Sequence, residues 1–133
     1  MAALIEEIAQ YLAAQTGYTL ETDLFAYGFP PEQADTAVCI LDGPGRPEDV
    51  RPLAGVGDFD VQVISRAKAP ATARSRAYAV QTALHGTCEQ LLVASGEWTA
   101  QYISAKQTPY GVGYDSRGRY EYVNHYRIRA TSA

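Results

Sequence analysis

The chain has 133 residues with 47% hydrophobic and 20% charged content, which is enough apolar material to bury a core. This balance excludes an intrinsically disordered protein, and no apolar run approaches the length of a membrane span. The two cysteines are too few for a disulfide framework, and Met1-Ala2-Ala3-Leu4 lacks the basic start of a secretory signal. We therefore expect one domain over residues 1–133, free thiols, folding in a cytoplasm and no membrane partner.

The formal net charge of −4 is unevenly distributed along the sequence. Residues 1–60 contain eleven acids and two bases, a balance of −9, whereas residues 61–133 contain four acids and nine bases, a balance of +5. If the two parts present different surfaces, copies of the chain could associate head to tail. If the two parts interleave in one fold, their opposite electrostatic fields cancel.

The N-terminal part predicts one helix and two short strands. Residues 2–15 place apolar side chains on one stripe, with Glu6 and Glu7 directed outward, and Gly17 ends the helix. Residues 23–31 predict a short strand that closes in a Pro-Pro turn, and residues 37–41 predict a short buried strand.

A strand followed by an amphipathic helix forms the centre of the chain. Residues 58–66 alternate with period two, and β-branched side chains occupy the middle of the segment. Residues 71–85 then repeat apolar positions at helical spacing, between Pro70 at the start and Gly86 at the end. Since Ala73 and Ala77 lie on the apolar stripe, we expect this helix to pack closely on a sheet.

Two segments rich in turn residues predict long loops. Residues 43–57 contain seven glycines and prolines, and without a lysine they cannot form a phosphate-binding loop. We expect either an inter-subunit loop or a plain surface connection there. Residues 107–118 hold Tyr110 and Tyr114 on either side of Gly-Val-Gly, which lacks the strand and helix of a dinucleotide site. Exposed tyrosines in such a loop favour contact with a protein partner.

The C-terminal part predicts a hairpin and a long last strand. Residues 90–94 and 97–104 are two strand segments joined at Ser95-Gly96. Residues 119–130 alternate large aromatic side chains with polar and basic ones, so the aromatic face is expected to pack over the alanine-rich helix. Together the elements predict an α+β fold, with a mainly antiparallel or mixed sheet of four to five strands and two helices on one face.

No constellation in the sequence indicates catalysis or a metal. The two histidines and two cysteines stand at no metal-ligand spacing, and no nucleophile, base and stabiliser converge. We therefore predict a protein that is not an enzyme, with no catalytic, metal-binding or cofactor-binding residue and no cofactor. A nucleic-acid-binding module is the alternative suggested by bases near tyrosines, although the pI of about 5.1 disfavours it. These bases are Arg66, Lys68, Arg74, Arg76, Arg117, Arg119, Arg127 and Arg129.

The predicted order of helices and strands, together with two sequence segments, resembles that of a phage protein family. The two segments are the unit Val61-Gln62-Val63 with Ala83-Leu84-His85-Gly86, and the segment Asp115-Ser116-Arg117-Gly118-Arg119-Tyr120-Glu121-Tyr122. Over nearly the whole chain, the sequence resembles the small minor capsid and tail-terminator proteins of long-tailed bacteriophages. The resemblance carries over no catalytic residue.

The resemblance implies a virion structural protein that caps the head-proximal end of the tail tube. Its expected partners are other copies in a ring of six, the tail tube protein and the head connector protein, and DNA passes through the ring without sequence-specific binding. Its expected location is the tail or neck of the virion, after assembly in the bacterial host cytoplasm. A head-side connector or minor capsid protein is the second alternative.

The long loops are the segments from which we expect contacts with neighbouring subunits or partners. We hypothesise that these contacts are made by Arg46, Arg51, Tyr110, Tyr114 and Arg117.

Overall fold

The computed structural model describes residues 4–27, 35–42, 56–94 and 96–132, which form two helices and seven strands. In chain order these are α1 (Leu4–Thr16), β1 (Leu24–Ala26), β2 (Ala37–Asp42), β3 (Val56–Ala67), α2 (Pro70–Leu84), β4 (Cys88–Leu91), β5 (Trp98–Ala105), β6 (Tyr110–Tyr114) and β7 (Tyr120–Ser132). Within these ranges, no helix is long and apolar enough to cross a membrane.

All seven strands belong to one sheet with the order β1-β2-β3-β7-β5-β4. The β1–β2 pair is parallel and the other pairs are antiparallel. Strand β6 lies on the same edge of β7 as β5, because β5 pairs with residues 126–132 and β6 with residues 120–123. The predicted α+β class and the mixed sheet are confirmed.

The predicted number of four to five strands is wrong, because the sheet has seven. The main error lies in residues 107–118, which we expected to be a loop and which contain β6 and the turn into β7. Glycines within a strand weaken the sequence signal for it, so Gly111 and Gly113 concealed β6. The predicted Pro30-Pro31 turn and residues 43–55 of the predicted first loop lie outside the described residues, whereas Gly57 belongs to β3.

The alternation of β3 and β7 places one face of the sheet against both helices. Val61 lies opposite Tyr126 and Phe59 opposite Ile128, so odd positions of β3 and even positions of β7 share this face. The core on this face also contains the apolar residues of α1, together with Val80 and Leu84 of α2. Both helices therefore pack on one face, as predicted.

Helix α2 lies close to the sheet because its inner positions are small. Ala73 and Ala77 are fully or almost fully buried, and Pro70 begins the helix where a missing N–H costs nothing. The chain leaves the helix at Gly86, whose φ of +87° is the left-handed conformation that suits glycine. The side-chain amide of Asn124 on β7 donates a hydrogen bond to Gln81 of α2 at 3.1 Å.

The opposite face of the sheet, called here the open face, combines a small apolar cluster with cross-strand ion pairs. Arg129 donates two hydrogen bonds to Asp58, at 2.9 and 3.3 Å. Asp60 accepts contacts from Arg127 at 3.3 Å and from Lys106 at 3.1 Å. Acids of β3 thus face bases of β7, which favours this register.

Cys39 belongs to the apolar cluster of the open face, with Phe25 and Ala37. Burial raises the pKa of the Cys39 thiol to about 12, so it remains protonated at neutral pH and is a poor nucleophile. Cys88 lies exposed on β4, and both cysteines are free.

Glu7 departs from the predicted outward direction and is 1% exposed. Its two carboxylate oxygens accept the backbone N–H groups of Glu97 at 3.0 Å and Trp98 at 3.1 Å. A buried carboxylate is tolerated when charge-assisted hydrogen bonds compensate its desolvation. Glu7 therefore joins α1 to the start of β5, across ninety residues of sequence.

Replacing Glu7 tests this link between α1 and β5. Glu7→Ala leaves two inward-facing N–H groups without their acceptor, so we expect the free energy of unfolding to fall by about 2–4 kcal/mol. Glu7→Gln retains one acceptor oxygen and should lose less. Urea denaturation measures both, with Gln10→Ala on the exposed side of α1 as the control that changes stability by less than about 0.5 kcal/mol. A Glu7→Ala effect as small as the control would contradict this role.

Candidate functional site

The β6–β7 hairpin, residues 110–123, carries most of the predicted contact residues. Strand β6 pairs with β7 beyond the point where β5 ends, so the hairpin lies at an edge of the sheet. Three large side chains on β6 are solvent-exposed: Tyr110 at 44%, Val112 at 52% and Tyr114 at 62%. Clustered exposed apolar and aromatic residues are typical of a protein-contact surface.

The two tyrosines lie on opposite faces of the hairpin. Tyr110 is opposite Val123 and stacks beside His125 on the open face, with ring centroids 6.5 Å apart. Tyr114 is opposite Tyr120, and their rings meet edge to face at 4.9 Å. Because Tyr120 pairs with Ala67 of β3, Tyr114 lies on the same side of the sheet as the helices.

The glycines of β6 are required by close packing and by a bulge. A Cβ atom on Gly111 would lie 2.6 Å from the hydroxyl oxygen of Tyr120, so a larger residue would displace that ring. The register shifts between Gly111 and Gly113, where φ of Gly113 is +105°. Such a bulge twists the edge strand, and this sets the direction of the exposed side chains.

Asp115 organises the turn between β6 and β7. Its Oδ1 accepts the backbone N–H groups of Arg117 and Arg119, each at 2.9 Å, and its Oδ2 accepts Nε of Arg119 at 2.8 Å. The hydrogen bond from the Arg119 N–H is the largest cause that holds the pKa of Asp115 below its usual value, with smaller contributions from the Arg117 N–H and the Arg119 side chain. Arg119 is buried at 8% exposure, whereas Arg117 lies exposed in the turn.

Three of the five predicted contact residues lie on the same β6–β7 hairpin, namely Tyr110, Tyr114 and Arg117. Arg46 and Arg51 lie outside the described residues, so their role stays a prediction. The sequence analysis missed Val112 on β6 and Tyr102 on β5, which is 47% exposed. Tyr102 lies opposite Arg129 on the open face, so strand parity, applied with the correct register, would have found it.

Most of the basic residues that suggested nucleic-acid binding contact carboxylates or aromatic rings. At least five of those eight bases contact carboxylates, which lowers the local positive potential. The pairs are Arg129 with Asp58, Arg127 with Asp60, Arg119 with Asp115, Arg76 with Asp23 and Lys68 with Asp35. Arg74 lies instead over the ring of Tyr78, at 4.6 Å from its centroid. In the described ranges, no group of three or more His, Cys, Asp or Glu residues could hold a metal ion.

Comparison with known families assigns this hairpin and its sheet to a phage protein family. The family model described as bacteriophage tail terminator protein matches residues 11–132. The chain belongs to the bacteriophage tail terminator family. The resemblance seen in the sequence is thereby confirmed, and the family is one of phage structural proteins.

A solved structure supports the same assignment of this tail terminator family member. A chain from the structure entitled "Virion of native gene transfer agent (GTA) particle" superposes with a TM-score of 0.60 and 25% sequence identity. The match covers 98% of the present chain and 96% of that chain. No curated protein matches the sequence.

The Asp115 turn gives this terminator a predicted pH dependence. A carboxyl group whose pKa is lowered on folding adds stability above its unfolded pKa, and this stability is lost as the pH falls through the folded pKa. We therefore expect Asp115→Asn to be less stable than the wild type at neutral pH, with a difference that shrinks below about pH 3.8. Thermal unfolding over a pH series measures this, with Ser116→Ala in the same turn as the control. A difference that stays constant down to about pH 2 would contradict the account.

Proposed function

We propose that the chain acts as a tail terminator that caps the head-proximal end of the tail tube as a ring of six copies. The capped end would stop tube polymerisation and offer a surface to the head connector protein. The observation that carries this proposal is the family match over residues 11–132, and the likeness to a chain of a gene transfer agent virion supports a place in the virion.

The shape of the sheet is compatible with a ring. A ring needs a heterologous contact, in which one surface of each copy meets a different surface of the next copy. The sheet offers two unlike edges, with β1 at one side and the β6–β7 hairpin at the other. We propose that Tyr110, Tyr114 and Arg117 of the hairpin contribute to contacts between copies or with the tube, together with Arg46 and Arg51.

The charge distribution suits a channel through which DNA passes. Positive charge that is already neutralised by carboxylates releases few counterions from DNA, so it gives little non-specific affinity. The net charge of −4 adds a weak repulsion. We propose that DNA passes through the ring without sequence-specific binding, and that the ring assembles in the host cytoplasm with no cofactor and no catalytic step.

Deleting the gene from its phage tests the terminator role. Without the cap, tube polymerisation has no stop, so we expect tails longer than normal and heads that carry no tail, both visible by electron microscopy. Tails of normal length would contradict the role. Normal tails that fail to join heads in the deletion, together with binding of the purified protein to tailless heads and not to tails, would instead select a head-side connector.

The contact residues are tested by complementing that deletion. The variant with alanine at positions 46, 51, 110, 114 and 117 should fail to restore normal tails, because the side chains proposed to make the contacts are lost. Alanine at the exposed positions Gln107, Thr108 and Ser116 is the matched control and should restore them. Restoration by the fivefold variant would exclude these residues as contacts.

A further inference from the structure

A pocket of about 340 Å³ lies at the edge of the sheet opposite the hairpin, between α1 and β1. We call it the α1–β1 pocket. Its lining includes Glu6, Gln10, Leu20, Glu21, Phe25 and Tyr27. Leu20 and Tyr27 are 37% and 55% exposed, so the apolar character of the pocket reaches the surface.

The pocket combines an apolar interior with an acidic rim. Phe25 and Leu20 supply the apolar surface, and the carboxylates of Glu6 and Glu21 supply the negative charge. The hydroxyl of Tyr27 donates a hydrogen bond to Glu6 at 2.6 Å, which raises the pKa of Tyr27 to about 12. Such a site suits an aromatic side chain that is accompanied by a positive charge.

The backbone around the pocket holds these side chains in a defined arrangement. Glu21 and Tyr27 have φ values of 68° and 70°, which are uncommon for residues other than glycine and persist where surrounding contacts impose them. The Glu21 N–H donates to Leu24 O at 2.9 Å, and the Tyr27 N–H donates to Ile40 O at 2.7 Å. The rim is therefore largely preorganised, which reduces the entropy lost when a partner binds.

The β6–β7 hairpin has the complementary chemistry. Tyr114 has the largest exposed fraction among the exposed large hydrophobic residues, and Arg117 lies exposed in the adjoining turn. The aromatic side chain and the basic turn on one edge are thus complementary to the apolar pocket and its acidic rim on the other edge.

The positions of the two features fit a head-to-tail contact. Four strand spacings separate β1 from β6, a span of about 19 Å across the sheet. Tyr114 lies on the helix side of the sheet, and α1 forms one wall of the pocket on that same side. Because the two complementary surfaces lie on opposite edges of the sheet, repeating the contact propagates from copy to copy, and it closes into a ring when the rotation between copies allows.

Building on the proposed terminator role, we propose that Tyr114 of one copy inserts into the α1–β1 pocket of the next copy. Arg117 then lies near the acidic rim formed by Glu6 and Glu21. The occupant of the pocket is thus a second copy of this chain. Tail tube and connector contacts are left to other surfaces, including Tyr110 on the open face.

Two single variants and their mixture test this contact. Tyr114→Ala removes the inserted side chain, and Leu20→Asp places a charge in the pocket at an exposed position where the fold tolerates it. Each variant alone should associate at least about tenfold more weakly than the wild type, and the measurement is made at a concentration at which the wild type assembles and such a variant stays monomeric. Leu91→Asp, at an exposed leucine on β4, is the matched control and should assemble like the wild type.

The mixture distinguishes a head-to-tail contact from other arrangements. Tyr114→Ala keeps an intact pocket and Leu20→Asp keeps an intact hairpin, so one contact can form between them and no further copy can add. Light scattering should therefore find a pair of 2 × 14.5 = 29 kDa, and the two variants alone should remain at 14.5 kDa. Wild-type assembly by either variant alone, or growth of the mixture beyond a pair, would overturn the proposal.

Cysteine cross-linking in assembled virions separates this contact from the terminator role. In a Cys88→Ser background that keeps Tyr114 and Leu20, Gln10→Cys in the pocket with Ser116→Cys in the hairpin turn should give a ladder of linked chains after treatment with a short bifunctional maleimide, whereas Gln10→Cys with Leu91→Cys should not. Normal tails without the ladder would overturn the contact and leave the terminator role standing. Tails of normal length in phage lacking the gene would overturn the role itself.

Discussion

The pairing of β3 with β7 is the constraint on which the rest of the structure depends. Twelve residues of each strand are in register, from Val56 opposite Thr131 to Ala67 opposite Tyr120. This register places apolar residues of both strands beneath the helices and sets acids against bases on the open face. A shift by one residue would move every side chain to the other face, so the hydrophobic core and the ion pairs together specify a single alignment.

The length of β7 connects this register to the candidate function. Strand β5 pairs with its C-terminal half and β6 with its N-terminal end, so the hairpin extends along an edge that β5 leaves uncovered. The result is a chain with exposed tyrosines at one side of its sheet and an apolar pocket with an acidic rim at the other. The proposed terminator ring would use these unlike edges, because a ring is built from one contact repeated between different surfaces.

Local patterns in the sequence were sufficient for the elements that bury a regular stripe. The helical period predicted a helix over residues 71–85, where the structure has α2 at Pro70–Leu84, and the alternation of residues 58–66 predicted a strand within β3. Strand β6 could not be predicted, because its pairing with β7 is a tertiary interaction and its glycines disfavour a strand. The burial of Glu7 could not be predicted from local sequence either, since its partners are backbone N–H groups ninety residues away. Composition predicted Tyr110 and Tyr114 as contact residues, whereas their opposite orientations required the register.

The solution mass of the purified chain, followed by light scattering after size exclusion over a dilution series, tests the central claim most directly. A ring of six copies predicts a stable species of 6 × 14.5 = 87 kDa that persists on dilution. A chain that remains at 14.5 kDa at every concentration, both alone and in the presence of tail tubes, would contradict the ring.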